Sequence, residues 1–146
     1  PGRLADYRAR ENEIKDTILA ARDSHALVYF SQEGCSFCSE QDKILKFFID
    51  KYGWEIKEYD IRAAARYAAF FGIETSPSLL LISKNSSDYI NVSVGVVALS
   101  EIETKLYAGI RILSGKASPT DYSTYYYQQG GALDVKAPQK KNNNNK

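Results

Sequence analysis

Both cysteines of the chain fall in one stretch, Glu33-Gly34-Cys35-Ser36-Phe37-Cys38-Ser39-Glu40, with two residues between them. Thiols at this spacing can close a small disulfide ring or open to a dithiol. Zinc is the other chemistry open to paired cysteines, and it takes four ligands of the Cys and His type. The chain holds one histidine, so a tetrahedral site would have to draw on carboxylates or a second chain. Redox chemistry is therefore the leading reading, with no metal and no cofactor expected. The competing reading is a stable structural disulfide or two inert buried cysteines.

The elements around the pair decide how it can act. His25 to Ser31 is a short, almost wholly apolar run rich in β-formers, as in a strand covered on both faces. Gln32-Glu33-Gly34 is the turn after it. From Cys35 the period becomes helical, with Phe37, Gln41, Ile44, Leu45, Phe48 and Tyr52 as the inward stripe and Gly53 as the stop. Cys35 then stands at a helix N-terminus, where free N–H groups and the helix dipole favour a thiolate and lower its pKa. Cys38, one turn in and more buried, is placed to resolve a mixed disulfide.

The other elements follow in order. Residues 3 to 22 read as a helix, with Leu4, Tyr7, Ile14, Ile18 and Ala21 near one face. Trp54 to Ile61 reads as a strand near a sheet edge. Asp60 is placed to cap a helix from Arg62 to Phe71. Ser78 to Ser83 and Tyr89 to Val97 read as an antiparallel hairpin across a turn-rich link. Ser100 and Glu103 form a capping box for a last helix, which ends near Leu113 and Gly115 with Ile102, Leu106, Ile110 and Leu113 inward. This order predicts an α/β fold: a four-stranded mixed sheet with helices on both faces.

Pro77 follows Ser76 and opens a strand. A cis bond there would bring the loop against the cysteine pair, and Ser76 would offer its backbone N–H and C=O to an extended substrate. A trans proline that merely starts an edge strand fits the sequence as well.

Cys35-Ser36-Phe37-Cys38, Ser76-Pro77 about forty residues on, and Gly95 before the last helix resemble a thioredoxin-fold domain over residues 25 to 114. The resemblance implies a three-layer sandwich, Cys35 as nucleophile, Cys38 as resolving thiol, a cis Pro77, and Ser76, Pro77, Ser36 and Phe37 as the substrate-binding surface. Other segments resemble the TraF family of conjugative pilus-assembly proteins: Leu27-Val28-Tyr29-Phe30, Asp50-Lys51-Tyr52-Gly53-Trp54, Phe71-Gly72-Ile73, and Tyr122 through Gly130-Gly131-Ala132-Leu133-Asp134. That resemblance implies a bacterial, periplasmic setting and a role in type IV secretion. The implied partners are cysteine-containing envelope or secretion-system proteins and a redox partner. Two positions depart from thioredoxin. Gly34 precedes the first cysteine where thioredoxin has tryptophan. Tyr29 stands where thioredoxin keeps a buried aspartate as proton acceptor, and tyrosine is a poor base at neutral pH. The Tyr29 departure and the tyrosine-rich tail point to an envelope-assembly specialist rather than a general reductant.

The totals exclude several other functions. The chain has 146 residues and a net charge of +1, which offers nothing to nucleic acid or an anionic membrane. Its apolar runs are too short to span a bilayer. It contains no methionine, which reads as a processed or engineered fragment whose missing segment could have carried an address. Residues 1–114 read as one domain with an N-terminal helix, and 115–146 as a tyrosine-rich extension with a disordered, asparagine-rich end. Tyrosines 122, 125, 126 and 127 would either fold back on the domain or dock a partner. His25 lies a full strand from Cys35, roughly 20 Å, which argues against a Cys-His pair. Arg62 and Arg66 read as a solvated helix face, or as a face for an acidic partner. Glu33 and Glu40 flank the thiols, and their charge opposes a thiolate. Two functions therefore stand: a thiol-disulfide oxidoreductase, or a non-catalytic scaffold of a secretion assembly whose cysteines only stabilise it.

Overall fold

The structure, a computed structural model, describes residues 2–116. The expectations for Tyr122 to Tyr127 and for the asparagine tract lie outside the described residues. The elements are α1 (Gly2–Ala20), β1 (His25–Ser31), α2 (Ser36–Tyr52), β2 (Ile56–Asp60), α3 (Ala65–Phe70), β3 (Ser78–Ser83), β4 (Tyr89–Val94) and α4 (Leu99–Leu113). The strands form one sheet in the order β2-β1-β3-β4. β1 runs parallel to β2 and antiparallel to β3, and β3 pairs antiparallel with β4. The expected four-stranded mixed sheet is present, with the expected hairpin at one end and β2 at the edge.

Strand alternation divides the core in two. Leu27 and Tyr29 of β1 and Leu79 and Leu81 of β3 pack against Ile14 and Ile18 of α1, Phe48 and Tyr52 of α2, and Ile102 and Leu106 of α4. On the opposite face, Val28, Phe30 and Leu80 meet Ala68 of α3, and Phe71 just beyond it. β1 is buried along almost its whole length because helices cover both sides of it. That accounts for its unbroken apolar sequence.

Tertiary contacts move several boundaries. β2 begins at Ile56 rather than Trp54. Trp54 is buried, its Nε1 donates to the Ile18 carbonyl at 2.9 Å, and its ring meets Phe48 edge-on at 5.7 Å. It is a wedge between α1 and α2, not a strand residue. Asp60 does not cap a helix from Arg62. Its Oδ1 accepts from the N–H groups of Arg62 (2.8 Å) and Ala63 (3.1 Å), which makes a turn and delays α3 to Ala65. The capping box at Ser100 and Glu103 does not form, because α4 starts two residues earlier, with Ala98 as its N-cap. Glu103 instead accepts from Lys51 Nζ at 2.6 Å and from the Tyr52 hydroxyl. Phe37 is 65% exposed, and Cys38 takes its place in the inward stripe of α2. Leu4 and Tyr7 do not reach the core, since α1 buries nothing before Ile14.

Gly109 is where α4 comes closest to the sheet. A Cβ there would stand 2.8 Å from Leu81 Cδ2. Alanine would gain about 1 kcal/mol of helix propensity, but overpacking typically costs about 1–3 kcal/mol. Gly109→Ala is therefore expected to lower stability by roughly 1 kcal/mol in urea titration. Equal or greater stability would show that Leu81 moves aside freely.

Candidate active site

β1 ends at Ser31, and the chain turns through Gly34, whose φ of 80° suits glycine. Cys35 follows as the N-cap of α2 in extended geometry. Its Sγ accepts from the Cys38 backbone N–H at 3.1 Å, the capping role that serine or aspartate oxygens usually play. The two cysteines are joined in a disulfide with their Cα atoms 5.2 Å apart. Cys35 is half-buried, while Cys38 is only 3% exposed. Of the two cysteines, Cys35 is the one open to solvent.

The Ser76–Pro77 peptide bond is cis. Ser76 Oγ lies 3.8 Å from Cys35 Sγ, and the Ser76 carbonyl oxygen 4.0 Å. The Pro77 carbonyl accepts from Gly95 N–H at 2.8 Å, which seats the segment after β4 against this loop. Gln41 fixes the same segment from below. It is fully buried, its Oε1 accepts from Val97 N–H at 2.8 Å, and its Nε2 donates to the Val97 carbonyl at 3.2 Å. Cys35, Cys38, Ser76 and Pro77 are thus brought together from distant parts of the chain. Ser36 lines the cavity beside them, and Phe37 stands exposed next to it.

That cavity is open, about 590 Å³ in volume, and its lining includes Glu33, Asp42, Glu58 and Asp60. Backbone N–H bonds from Ala63 and Arg62 hold the exposed Asp60 carboxyl below its usual range. His25 is not part of the site. It is buried beside Trp54 and bonded to Ser24 Oγ at 2.8 Å, and burial lowers its pKa. Among the described residues, no three His, Cys, Asp or Glu side chains converge as metal ligands.

Tyr29 lies beneath the cysteines. Its hydroxyl shares its proton between Asp42 Oδ1 (2.8 Å) and the Cys38 carbonyl (3.1 Å). Burial, then the hydrogen bond and charge of Asp42, push its pKa far above the ordinary tyrosine value. It is a neutral donor here and does not collect a proton from Cys38. Burial and Glu103 raise Tyr52 in the same way. A tyrosine pKa raised in the folded state gives stability that is fully present below the unfolded value, about 10, and is lost as pH rises above it. The urea midpoint is expected to fall between pH 10 and 11, and Tyr29→Phe should flatten that fall. An unchanged alkaline slope in this variant would mean that Tyr29 does not carry it.

Sequence reasoning missed Gln32, Asp42, Glu58 and Val97 as members of the site. Only the alternation of β2 gave a sign of any of them, since it places Glu58 on one face with Ile56. The rest depend on where loops close.

A family model described as TraF, F plasmid transfer operon protein, matches residues 1–107. The chain belongs to the TraF family. The match takes in every element through most of α4, so family membership covers the cysteine pair and the Ser76-Pro77 loop together. None of the curated protein sequences compared with the chain matches it. Solved structures similar to it include a chloroplastic thioredoxin z, 17% identical, with a TM-score of 0.51 over 66% of this chain and 86% of that one. Another is thioredoxin-2, a component of malaria parasite protein secretion machinery, 15% identical, with a TM-score of 0.51 over 58% of this chain and 82% of that one. A third, titled only as a malarial protein, is 14% identical, with the same score over 59% and 97%. At these identities the likeness shows the fold, and that fold is thioredoxin-like.

Proposed function

We propose that this TraF-family chain is a thiol-disulfide oxidoreductase of the bacterial periplasm, which forms or rearranges disulfides in proteins of a conjugative pilus and type IV secretion assembly. The observation that carries the reading is the reach of Cys35. It is the accessible sulfur, it caps a helix N-terminus, and it lies 3.8 Å from the hydroxyl of the residue before a cis proline. With the pair in its dithiol form, the Cys35 thiolate attacks a substrate disulfide. One Cys35–substrate S–S bond forms and one substrate thiolate leaves. For isomerisation, a substrate thiolate then attacks the substrate sulfur of that mixed disulfide, a rearranged substrate disulfide forms and the Cys35 thiolate leaves, so the pair stays a dithiol. Where Cys38 as thiolate attacks Cys35 instead, the internal disulfide closes and the substrate leaves as a dithiol. In the oxidising direction a substrate thiolate attacks Cys35 in the Cys35–Cys38 disulfide and Cys38 leaves as thiolate. A second substrate thiolate then takes the bonded substrate sulfur and Cys35 leaves, so the substrate gains a disulfide and the pair is left as a dithiol. Ser76 and Pro77 supply an edge for an extended substrate, and Ser36 and Phe37 the surface beside it. The family's tie to F plasmid transfer supports the envelope setting. The catalytic domain in this reading runs to about residue 114, with a core from residue 25.

Replacing Cys38 by alanine removes the resolving step. Cys38→Ala is expected to accumulate disulfide-linked adducts with envelope proteins, seen as bands that collapse on reduction. Absence of adducts in cells and with model disulfides would refute the reading.

One observation favours a scaffold role. From Gly2 to Glu13, α1 is exposed on every side, and it carries Leu4 and Tyr7 at 55% and 62% exposure. The variant with both Cys35 and Cys38 replaced by serine separates the two readings. Normal pilus assembly with it supports the scaffold, and lost assembly with an intact fold supports redox work.

A further inference from the structure

Negative charge gathers around Cys35. Glu33, Asp42, Glu58 and Asp60 line the cavity that holds it, and each opposes a thiolate. The Cys38 N–H offsets this in part. Among the described residues, the Ser76 hydroxyl is a second donor beside it, 3.8 Å from Cys35 Sγ. A hydroxyl rotates, so its proton serves the sulfur only if the oxygen's other neighbour is a donor.

Gln32 decides this. Its side-chain amide lies between Arg62 and Ser76, with one amide atom 3.3 Å from Ser76 Oγ. With the amide oxygen turned to Arg62, it accepts from Nε at 3.0 Å and Nη2 at 2.8 Å. The opposite orientation would set amide N–H groups against guanidinium N–H groups, and the network selects the first. The amide nitrogen then faces Ser76 Oγ and donates to it. Ser76 Oγ is left with one proton to give, and Cys35 Sγ is beside it. In the disulfide this sulfur marks the place the thiolate takes.

We propose that Arg62 and Gln32 are positioning residues for Cys35. Arg62 orients the Gln32 amide, Gln32 orients the Ser76 hydroxyl, and Ser76 donates to the thiolate. All the hydrogen bonds point towards the sulfur, so each polarises the next. The inference rests on reading Cys35 as the nucleophile. Arg62 acts here through its planar fork, and a lysine, as a point charge, cannot turn the amide in the same way.

The test uses the full chain with Cys38→Ala, which leaves Cys35 as the one thiol. Its acid constant is read from thiolate absorbance against pH, with circular dichroism to confirm folding. Ser76→Ala is expected to weaken the acid constant about tenfold, the size of one long hydrogen bond to a charge. Gln32→Ala, Arg62→Gln and Arg62→Lys are each expected to weaken it about threefold, and Ser76→Thr to retain it. The deciding measurement combines Arg62→Gln with Ser76→Ala, which is expected to add nothing to Ser76→Ala alone. A further weakening in that pair, or an unchanged acid constant in Arg62→Lys, would mean that Arg62 acts through space and would overturn the relay. An unchanged acid constant in Gln32→Ala would overturn it too. Exchange of the wild-type chain, first reduced to the dithiol, with oxidised glutathione is measured in parallel. Its failure refutes the oxidoreductase reading, while the acid constants still decide the relay.

Discussion

Replacing Cys35 by serine is expected to reduce thiol-disulfide exchange at least about a thousandfold, because the attacking species is a thiolate and serine offers only a hydroxyl. Cys38 cannot take over. It is 3% exposed and sits inside the first turn of α2, out of reach of a protein disulfide. The fold should survive the change. Serine is a good N-cap, and its oxygen can accept the Cys38 N–H that Cys35 Sγ accepts now. The lost cross-link closes a loop of sequence separation 3, worth about 2 kcal/mol by loop-closure entropy. Wild type and variant are therefore best compared after reduction, where that difference vanishes. Exchange with a fluorescent model disulfide measures the activity. A Cys35→Ser protein that keeps a tenth of wild-type activity would move the nucleophile to Cys38 and overturn the assignment.

The largest stability effect is expected at Phe48. It is fully buried, its ring lies 5.1 Å from Tyr52 and 5.7 Å from Trp54, and those two side chains tie α2 to its neighbours. Trp54 Nε1 holds the end of α1 through the Ile18 carbonyl, and Tyr52 bonds Glu103 of α4. Phe48→Ala opens a cavity where three helices meet, at a cost of about 3–5 kcal/mol. Alanine recovers only a few tenths of a kcal/mol in helix propensity. Domains of this size are stable by roughly 5–15 kcal/mol, so the variant loses a large part of its margin. Chemical denaturation should show a midpoint shift of that size, and Phe48→Leu a much smaller one. A loss below about 1.5 kcal/mol would mean that Tyr52 and Trp54 collapse into the space.

The site and the stability of α2 are coupled through its inward face. Cys38, Gln41, Leu45, Phe48 and Tyr52 share that face. Gln41 reaches Val97 and so steadies the segment whose Gly95 N–H bonds the Pro77 carbonyl. The same helix that presents Cys35 at its start thus fixes the loop opposite it from one turn below.

What was legible in the sequence was what local pattern controls. The buried run of β1, the helical period after Cys35, the stop at Gly53 and the hairpin of β3 and β4 all follow from side-chain alternation and backbone preference. The cysteine spacing was legible for the same reason, whereas Ser76-Pro77 fitted a cis or a trans bond equally until the structure placed it as cis. Tertiary contact overruled local signals elsewhere. Trp54 fits a strand by propensity, but burying its ring against Phe48 and satisfying its N–H at Ile18 is worth more than one further ladder position. Ser100 and Glu103 have the spacing of a capping box, but the Gln41 clamp on Val97 starts α4 earlier and Glu103 finds Lys51 and Tyr52. Asp60 had the right chemistry for a cap and used it on a turn.

For the cysteine pair itself, the sequence alone determined that two thiols stand at a helix start after a buried strand, because spacing and periodicity are properties of neighbours along the chain. Tertiary structure alone decided which groups surround them: Ser76 at 3.8 Å, Gln32 turned by Arg62, and Tyr29 bonded to Asp42 beneath. Those contacts join residues some 13 to 44 positions apart. No local rule reaches that far, because only the closing of the sheet and the crossing of its loops sets the distances between them.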